Sequence, residues 1–216
     1  MEKTDYMNQK ISFFILMICA LCLGSCFKEP NLDKLDYELV VATDYDIEGD
    51  FSTYKSYFIS DTLINISSNP NDSIIVGAEA RFIVDKIKRE MNARGYQFVS
   101  RADNPDLGIL GSVVKDRNFD QVCYGWWWGY PGYYPGGWWG YPGYGYNYPY
   151  CSYYQYNTGS LNIEMFDLKN VSSNDNINVL WNSISFGVLS SYEQTNLDRA
   201  ATSVEQAFVQ SPYIQN

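Results

Sequence analysis

Beyond residue 36, the apolar residues are spaced in two ways: in some segments with the period of a β-strand and in others with the period of an α-helix. Where apolar residues alternate with polar ones, or form short runs bounded by turn residues, β-strands are predicted. Such segments occur at residues 38–43, 54–60, 96–100, 107–114, 160–167 and 178–189. Turn-forming residues such as Asp103, Asn104 and Pro105 separate them.

Two further segments have apolar residues at helical spacing, which predicts amphipathic helices. The first covers residues 73–94, with Ser73 as N-cap and Gly95 just past its end. The second covers residues 197–209 and is ended by Pro212. The predicted apolar stripes consist of Ala78, Phe82, Ile83, Ile87 and Met91 in the first helix and of Leu197, Ala200, Ala201, Val204 and Phe208 in the second.

The order of these elements predicts the fold class. Strands, a helix, more strands and a final helix are typical of an α+β domain. We expect one domain at residues 37–213, built on a mainly antiparallel sheet with two helices packed on one face. A long aromatic loop rich in glycine and proline is inserted at residues 121–158.

The N-terminal segment is predicted to be a lipoprotein signal peptide. Residues 11–23 form an apolar run that is shorter than the about 20 residues of a transmembrane helix but typical of a signal peptide. The run ends in Leu23-Gly24-Ser25-Cys26, which resembles a lipobox, the sequence in which the cysteine is acylated. We therefore expect a signal peptide at residues 1–25, a lipid on Cys26 and a tether at residues 26–36.

Lipid attachment also predicts the location of the protein. Several acyl chains, such as palmitate, anchor a chain stably because each buried CH₂ contributes about 0.8 kcal/mol. The expected partner is therefore the membrane, and the expected location is the bacterial cell envelope at the outer membrane. The sequence leaves open whether the domain faces the periplasm or the exterior. Translation from Met7 instead of Met1 would give a more usual signal, without Glu2 and Asp5.

Charge and composition exclude several functions. The formal net charge is −10, and an acidic chain repels phosphate backbones, so we expect no nucleic-acid partner. There is no histidine, which excludes Ser-His-Asp and Cys-His nucleophiles and His-ligated metal sites. No P-loop or dinucleotide-binding motif occurs. We therefore expect no catalytic residues, no metal and no cofactor.

Two groups of carboxylates are the remaining candidates for chemistry. Asp44, Asp46 and Asp50 form one group, and Asp103 and Asp106 form the other. Paired carboxylates can bind calcium or act in acid–base catalysis, including that of a hydrolase. Their spacing matches no full calcium loop, and Asp beside Asn, Gly or Pro is common in turns. We predict that they shape turns.

Two cysteines remain in the predicted mature domain, and they lie on either side of most of the aromatic insert. Cys123 and Cys151 would be in a compartment that permits disulfides. A bridge between them would contribute roughly 3–4 kcal/mol in the chain-entropy model. The alternative is two free thiols.

The insert at residues 121–158, called here the aromatic segment, is unusual in composition. It contains no charged residue, and the unit Trp-Trp-Gly-Tyr-Pro-Gly-Tyr occurs at residues 127–133 and again at 138–144. One interpretation is a low-complexity loop, and a second is a membrane-interface patch. A third is a surface that binds an envelope glycan or another envelope protein. The candidate contact residues are Trp127, Trp128, Tyr130, Tyr133, Trp138, Trp139, Tyr141 and Tyr144.

Several short motifs follow one another along the predicted domain. They are Asp44-Tyr45-Asp46, Asp50-Phe51-Ser52 with Tyr54-Lys55, the helix end Arg94-Gly95-Tyr96, the turn Asn104-Pro105-Asp106-Leu107, the strand Gly159-Ser160-Leu161-Asn162-Ile163, the strand around Trp181, and the last helix with Pro212. Their order over residues 37–213 resembles the domain of unknown function 4136 (DUF4136) family of bacterial lipoproteins. The resemblance implies an envelope lipoprotein without an assigned activity.

The resemblance has departures. Asn162 and Glu164 lie where an acidic, aliphatic pattern is more typical, and Asn182 takes the place of a basic residue after Trp181. The whole sequence therefore predicts a non-catalytic, lipid-anchored envelope protein of unknown molecular function. The alternative is a glycan- or peptidoglycan-binding module that uses the aromatic segment.

Overall fold

The computed structural model describes residues 39–66, 74–114, 136–147, 159–171, 176–188 and 193–216. These residues form strands and two α-helices, which confirms the predicted α+β class. The strands are β1 (Val40–Tyr45), β2 (Ser56–Ile59), β3 (Leu63–Ile66), β4 (Ile74–Ile75), β5 (Gln97–Phe98), β6 (Leu107–Val114), β7 (Gly145–Asn147), β8 (Ser160–Asp167) and β9 (Asn176–Phe186). The helices are α1 (Ala78–Ala93) and α2 (Glu193–Gln210).

The strands form one sheet of mixed direction, so the prediction of a mainly antiparallel sheet was wrong. The order is β1-β9-β8-β6-β2-β5, with β3 also on β6, β4 on β3 and β7 on β9. The pairs β1–β9, β9–β8, β8–β6 and β3–β4 are antiparallel. The pairs β2–β5, β2–β6, β3–β6 and β7–β9 are parallel.

The first helix explains most of the parallel pairing. Parallel neighbours need a long crossover, which is usually a helix. Here α1 carries the chain back after β4, so that β5 and β6 run in the same direction as β2 and β3. The alternation of apolar and polar residues in a strand does not show which strands a helix connects, so the sequence did not predict this crossover.

The start of α1 also differs from the prediction. The helix begins at Ala78 with Gly77 as its N-cap, so the predicted N-cap role of Ser73 was wrong. Ile74 and Ile75, which the prediction placed in the helix, instead pair with β3. The predicted end is confirmed, because Gly95 follows the helix with a φ of 92°, a conformation that favours glycine.

Three short strands, β3, β4 and β7, were not predicted, because segments of two to four residues carry too little periodicity. The predicted stripe of α1 was wrong in part. Phe82 is 39% exposed, whereas Ala80 and Val84 are buried beside Ile83. The second helix starts before residue 197 and ends at Gln210, two residues before Pro212.

Both helices pack on the same side of the sheet, here called the helix face. The buried residues of α1 and α2 join those of the sheet in one core cluster, which confirms the predicted packing. Its members include Trp181, a large side chain that is fully buried, whose ring lies 5.3 Å from the Phe208 ring and whose Nε1 donates to Ser211 Oγ at 2.9 Å. Trp181 thereby connects β9, α2 and the C-terminal residues.

The opposite side, here called the aromatic face, is also covered, and the sequence did not predict this. All eight residues of β8 are buried, so neither side of that strand is exposed. Trp139 and Tyr146 lie on Phe166, with ring centroids 5.5 and 4.6 Å away. The cluster on this face includes Ile64, Ile66, Leu110, Val114, Trp139, Tyr146, Phe166, Leu168, Ile177, Val179 and Ile184. Part of the aromatic segment is therefore core.

A glycine in the sheet makes room for this cover. A Cβ on Gly108 would lie 2.8 Å from the Trp139 ring and 3.0 Å from Leu168 Cδ1. Contacts under 3.0 Å do not occur for real Cβ atoms, so a larger residue would displace the tryptophan. Because Gly108 has no side chain, the Trp139 ring can pack directly against the backbone of β6.

Candidate functional site

The turn at residues 104–106, between a 3₁₀-helix (Arg101–Asp103) and β6, forms one wall of a surface cleft. Before the turn, Asp103 Oδ2 accepts hydrogen bonds from the backbone N–H of Ser100 at 3.1 Å and from the Ser100 hydroxyl at 2.7 Å. Asn104 then adopts a left-handed conformation with a φ of 51°. Asparagine tolerates this conformation better than most residues, so the sharp turn into β6 suits the sequence.

Asp106 fastens this turn to β2. Its Oδ2 accepts from the backbone N–H groups of Lys55 at 2.6 Å and Ser56 at 3.2 Å. The Ser56 side chain in turn accepts from the backbone N–H of Asp106 at 3.0 Å. Two backbone donors offset part of the negative charge of this carboxylate. Asp106 therefore connects the start of β2 with the start of β6.

The cleft itself has a volume of about 370 Å³. Its apolar surface comes from three buried residues, Pro105, Trp139 and Leu168, and from the half-buried ring of Tyr141. Tyr141 is held in place because its hydroxyl donates to the Leu168 carbonyl at 3.3 Å. The full lining is Arg101, Asn104, Pro105, Asp106, Trp139, Tyr141, Leu168 and Lys169.

Two cationic side chains line the same cleft, and both are exposed. The Arg101 guanidinium carbon lies 5.3 Å from the Trp138 ring centroid, in a cation–π contact. Lys169 Nζ donates to the Thr53 carbonyl at 2.6 Å and lies 5.8 Å from the Tyr54 ring centroid. Because the chain carries a net charge of −10, two cations at one cleft form a local contrast of charge.

The predicted turn roles of most of the candidate carboxylates are confirmed. Asp46 accepts from the Glu48 N–H, and Asp50 accepts from the N–H and the hydroxyl of Ser52. Asp103 and Asp106 hold the turns described above. These carboxylates satisfy backbone donors, which is the usual work of Asp at turns. Among the described residues, no group of three or more Cys, Asp or Glu side chains is arranged to hold a metal.

A buried hydrogen-bonded group lies beside the cleft at the end of β8. The Tyr54 hydroxyl donates to Asp167 Oδ2 at 2.8 Å, and the Asn170 N–H donates to Asp167 Oδ1 at 2.8 Å. Burial, together with the adjacent Asp167 carboxylate, raises the pKa of Tyr54. Tyr54 therefore stays protonated as a donor, and the group fixes the turn that carries Lys169.

A second buried polar group lies on the aromatic face. Glu164 and Asn182 face each other across β8 and β9 and are both fully buried. Asn182 Nδ2 donates to Asn162 Oδ1 at 2.6 Å. Burial, and to a smaller extent the charge of Glu164, raises the pKa of Tyr146 on the same face. The three departures from the family pattern are therefore neighbours in this polar group.

The structure describes only part of the predicted contact surface. Trp138, Tyr141 and Tyr144 are half-buried, and Trp139 is 6% exposed. The Tyr141 and Tyr144 rings are 5.4 Å apart and inclined by 51°, so these two rings do not form a flat platform. The remaining predicted site residues, Cys26, Cys123, Trp127, Trp128, Tyr130, Tyr133 and Cys151, lie outside the described residues.

The sequence did not predict the cationic part of the cleft. Arg101 precedes β6, Lys169 follows β8, and the aromatic residues come from a third region of the chain. No local pattern links these positions, because only the pairing of β6 with β8 places their ends side by side. Neither helix in the described part of the chain is long and apolar enough to cross a membrane.

Taken together, the described residues form an α+β fold in which both faces of the sheet are covered and a cleft lies on the surface. The family model described as "Domain of unknown function (DUF4136)" matches residues 41–213. The chain therefore belongs to the DUF4136 family, which confirms the family membership predicted from its motifs.

Two solved structures are similar to this chain. A crystal structure of a DUF4136 family protein from Bacteroides thetaiotaomicron has 30% identity and a TM-score of 0.72, and the match covers 82% of this chain and 97% of that one. A crystal structure of a PDZ domain protein from Parabacteroides distasonis has 17% identity and a TM-score of 0.41, over 83% of this chain and 37% of that one. The chain has no match among curated proteins.

Proposed function

We propose that this chain is a lipid-anchored, non-catalytic protein of the bacterial cell envelope, held at the outer membrane. The observation that carries the proposal is the sequence Leu23-Gly24-Ser25-Cys26 directly after a short apolar run. The structural relative from Bacteroides thetaiotaomicron supports a bacterial family. Acylation of Cys26 would supply the membrane contact that an acidic domain cannot obtain from a basic patch.

The hydrogen bonds of the carboxylates support a non-catalytic role. Asp50, Asp103 and Asp106 accept from backbone donors in turns, and Asp167 accepts from Tyr54 and Asn170. A carboxylate that works as a general base must instead reach a proton of the substrate. In addition, the sequence has no histidine to act at neutral pH.

Replacing the acylated cysteine tests the membrane anchor. When the full chain is expressed in a Gram-negative host with a labelled fatty acid, the label and the protein are expected in the membrane fraction. Cys26→Ser is expected to abolish labelling and to release the chain from that fraction or leave it as an unprocessed precursor. Cys22→Ser, in the same apolar run, is the matched control and should change neither result. An unlabelled wild-type chain free in solution would contradict the anchor.

A disulfide between Cys123 and Cys151 is part of the same proposal, because the envelope is an oxidising compartment. Protein purified from the envelope without reductant and then denatured is expected to show no thiol that reacts with a maleimide reagent. After reduction, two thiols are expected to react. If two thiols react before reduction, the bridge is not formed.

A second candidate function is the binding of an envelope glycan, and the cleft is the observation that favours it. Ligand sites are typically concave and apolar, with a few well-placed polar groups, and their volumes start at about 300 Å³. The 370 Å³ cleft combines the Tyr141 ring with polar groups of Asn104 and Arg101. Aromatic rings can stack on the apolar faces of sugars. Retention of the soluble domain on a panel of immobilised envelope glycans, compared with Tyr141→Ala, tests this function.

A further inference from the structure

We propose that the cleft between residues 104–106 and residues 139–141 binds an N-acetylated amino sugar, and that the turn at residues 104–106 recognises its acetamido group. This inference rests on the proposed glycan-binding function and names the class of sugar. It follows from the hydrogen-bonding groups that remain available in the cleft and from the apolar surface beside them.

Both aromatic side chains of the cleft use their polar atoms within the protein. Trp139 Nε1 donates to the Tyr146 hydroxyl at 3.0 Å, and the Tyr141 hydroxyl donates to the Leu168 carbonyl at 3.3 Å. These bonds fix the two rings, and a ring that is already fixed loses little entropy when a ligand binds. The half-buried Tyr141 ring therefore offers apolar surface on which the C–H groups of a sugar can stack.

The two cationic side chains have partners outside the cleft. Lys169 Nζ donates to the Thr53 carbonyl at 2.6 Å, and the Arg101 guanidinium carbon lies 5.3 Å from the Trp138 ring centroid. Neither Thr53 nor Trp138 lines the cleft. Because the positive charges are directed to these partners, an electrically neutral ligand fits the cleft better than an anion.

The turn at residues 104–106 supplies the hydrogen-bonding groups that remain. Asp106 uses Oδ2 for the N–H groups of Lys55 and Ser56, and its Oδ1 has no partner within the described part of the chain. The exposed Asn104 side chain likewise has no hydrogen-bond partner among the described residues. One carboxylate acceptor and one amide donor therefore lie two residues apart in the same wall of the cleft.

An acetamido group matches this pair of groups and the surface next to them. Its N–H can donate to Asp106 Oδ1, and its carbonyl can accept from the Asn104 amide. Its methyl group would then lie on the apolar surface of three buried residues, Pro105, Trp139 and Leu168. Burial of a methyl group on such a surface is favourable, whereas a hydroxyl group would lose water there without gaining a partner. The cleft therefore favours an acetamido substituent over a hydroxyl group.

Isothermal titration of the purified full chain in detergent with two matched probes tests the inference. One probe is chitotriose, the linear trimer of N-acetylglucosamine. The other is cellotriose, the corresponding trimer of glucose, which carries a hydroxyl in place of each acetamido group. Chitotriose is expected to bind at least about tenfold more tightly, because a hydrogen bond to a charged group and a buried methyl group both add affinity. Since both probes are uncharged, this preference is expected to be the same at low and high salt.

Substitutions around the cleft identify the groups responsible. Asn104→Gly removes the amide and suits the left-handed backbone, and it is expected to weaken chitotriose binding by about threefold to tenfold with little change for cellotriose. Tyr141→Ala is expected to weaken binding of both trimers. Tyr144→Ala changes a half-buried residue of the same repeat unit that does not line the cleft, and it should alter neither affinity. Arg101→Gln and Lys169→Gln should leave the preference unchanged. Circular dichroism checks that each variant folds.

The outcomes separate the inference from the function on which it rests. Equal binding of the two trimers, with an effect of Tyr141→Ala on both, would overturn recognition of the acetamido group and retain glycan binding. A preference for chitotriose that Asn104→Gly leaves intact, or that Arg101→Gln abolishes, would overturn the role of the turn. If neither trimer binds, the class of sugar is wrong, and the glycan panel with Tyr141→Ala then tests the function by itself.

Discussion

Trp181→Ala is expected to lower the free energy of unfolding by about 3–5 kcal/mol, the cost typical of removing a buried tryptophan. The side chain is fully buried and contacts Phe208 of α2, and its N–H donates to Ser211. Its loss would leave a cavity where the sheet, the last helix and the C-terminal residues meet, and would leave the Ser211 hydroxyl without this donor. Urea unfolding followed by circular dichroism measures the change.

Two further variants show whether the effect comes from this position. Trp181→Phe keeps a ring beside Phe208 and loses the hydrogen bond, so its effect is expected to be roughly half as large. Val209 of α2 is 69% exposed, so Val209→Ala should change stability by less than about 0.5 kcal/mol. If Trp181→Ala changed stability as little as Val209→Ala, the assignment of Trp181 to the core would be wrong.

Trp139→Ala is expected to have an effect of similar size, about 3–5 kcal/mol, although this residue belongs to a segment that reads as low complexity. Trp139 is 6% exposed, lies on Phe166 and donates to the Tyr146 hydroxyl at 3.0 Å. Its removal would expose the aromatic face of the sheet and leave the buried Tyr146 hydroxyl without this donor. The same unfolding measurement applies.

The neighbouring tryptophan is a matched control. Trp138 belongs to the same repeat unit but is only half-buried, so Trp138→Ala is expected to cost less than half as much. Gly108→Ala tests the same packing contact from the side of the sheet, because the new Cβ would collide with the Trp139 ring. It is expected to lower the free energy of unfolding by about 1–3 kcal/mol. Equal effects of Trp138→Ala and Trp139→Ala would argue against the burial of the Trp139 side chain.

Because Trp139 and Tyr146 are part of the core, a deletion of the aromatic segment is not a clean test of ligand binding. Deleting residues 124–156 would remove Trp139 and Tyr146 from the core together with any contact surface. A loss of binding after such a deletion would then report a damaged fold rather than a missing ligand site. Single substitutions at Tyr141, Arg101 and Lys169 avoid this ambiguity, because none of these residues is fully buried.

The polar group on the aromatic face is also buried, although its residues alternate with apolar ones along the strands. Glu164 and Asn182 are fully buried, whereas most strands with alternating polar residues expose them to water. Each buried polar group needs hydrogen-bond partners to offset the cost of its desolvation. The bond between Asn182 and Asn162 is one such partnership. Asn162, Glu164 and Asn182, which depart from the family pattern, therefore lie on a face of the sheet that is covered and not exposed to water.

Much of the fold follows from the sequence alone, because periodicity reports which side of a long element is apolar. The bounds of β6 and β8 agree with the prediction, and the spacing of Ala200, Val204 and Phe208 placed one face of α2 correctly. Gly95 ended α1 as predicted, since glycine tolerates the left-handed conformation found there. Local chemistry also determined that Asp50, Asp103 and Asp106 serve turns.

Tertiary structure alone decided the direction of the strands, the burial of the second face and the composition of the cleft. The parallel pairing depends on which strands α1 connects, and the periodicity of a strand does not record its neighbours. Trp138 and Trp139 are neighbouring residues of the same type, but only the Trp139 ring packs into the space beside Gly108. Arg101 and Lys169 share one cleft because β6 pairs with β8, and contacts between residues so distant in sequence exist only after the chain has folded.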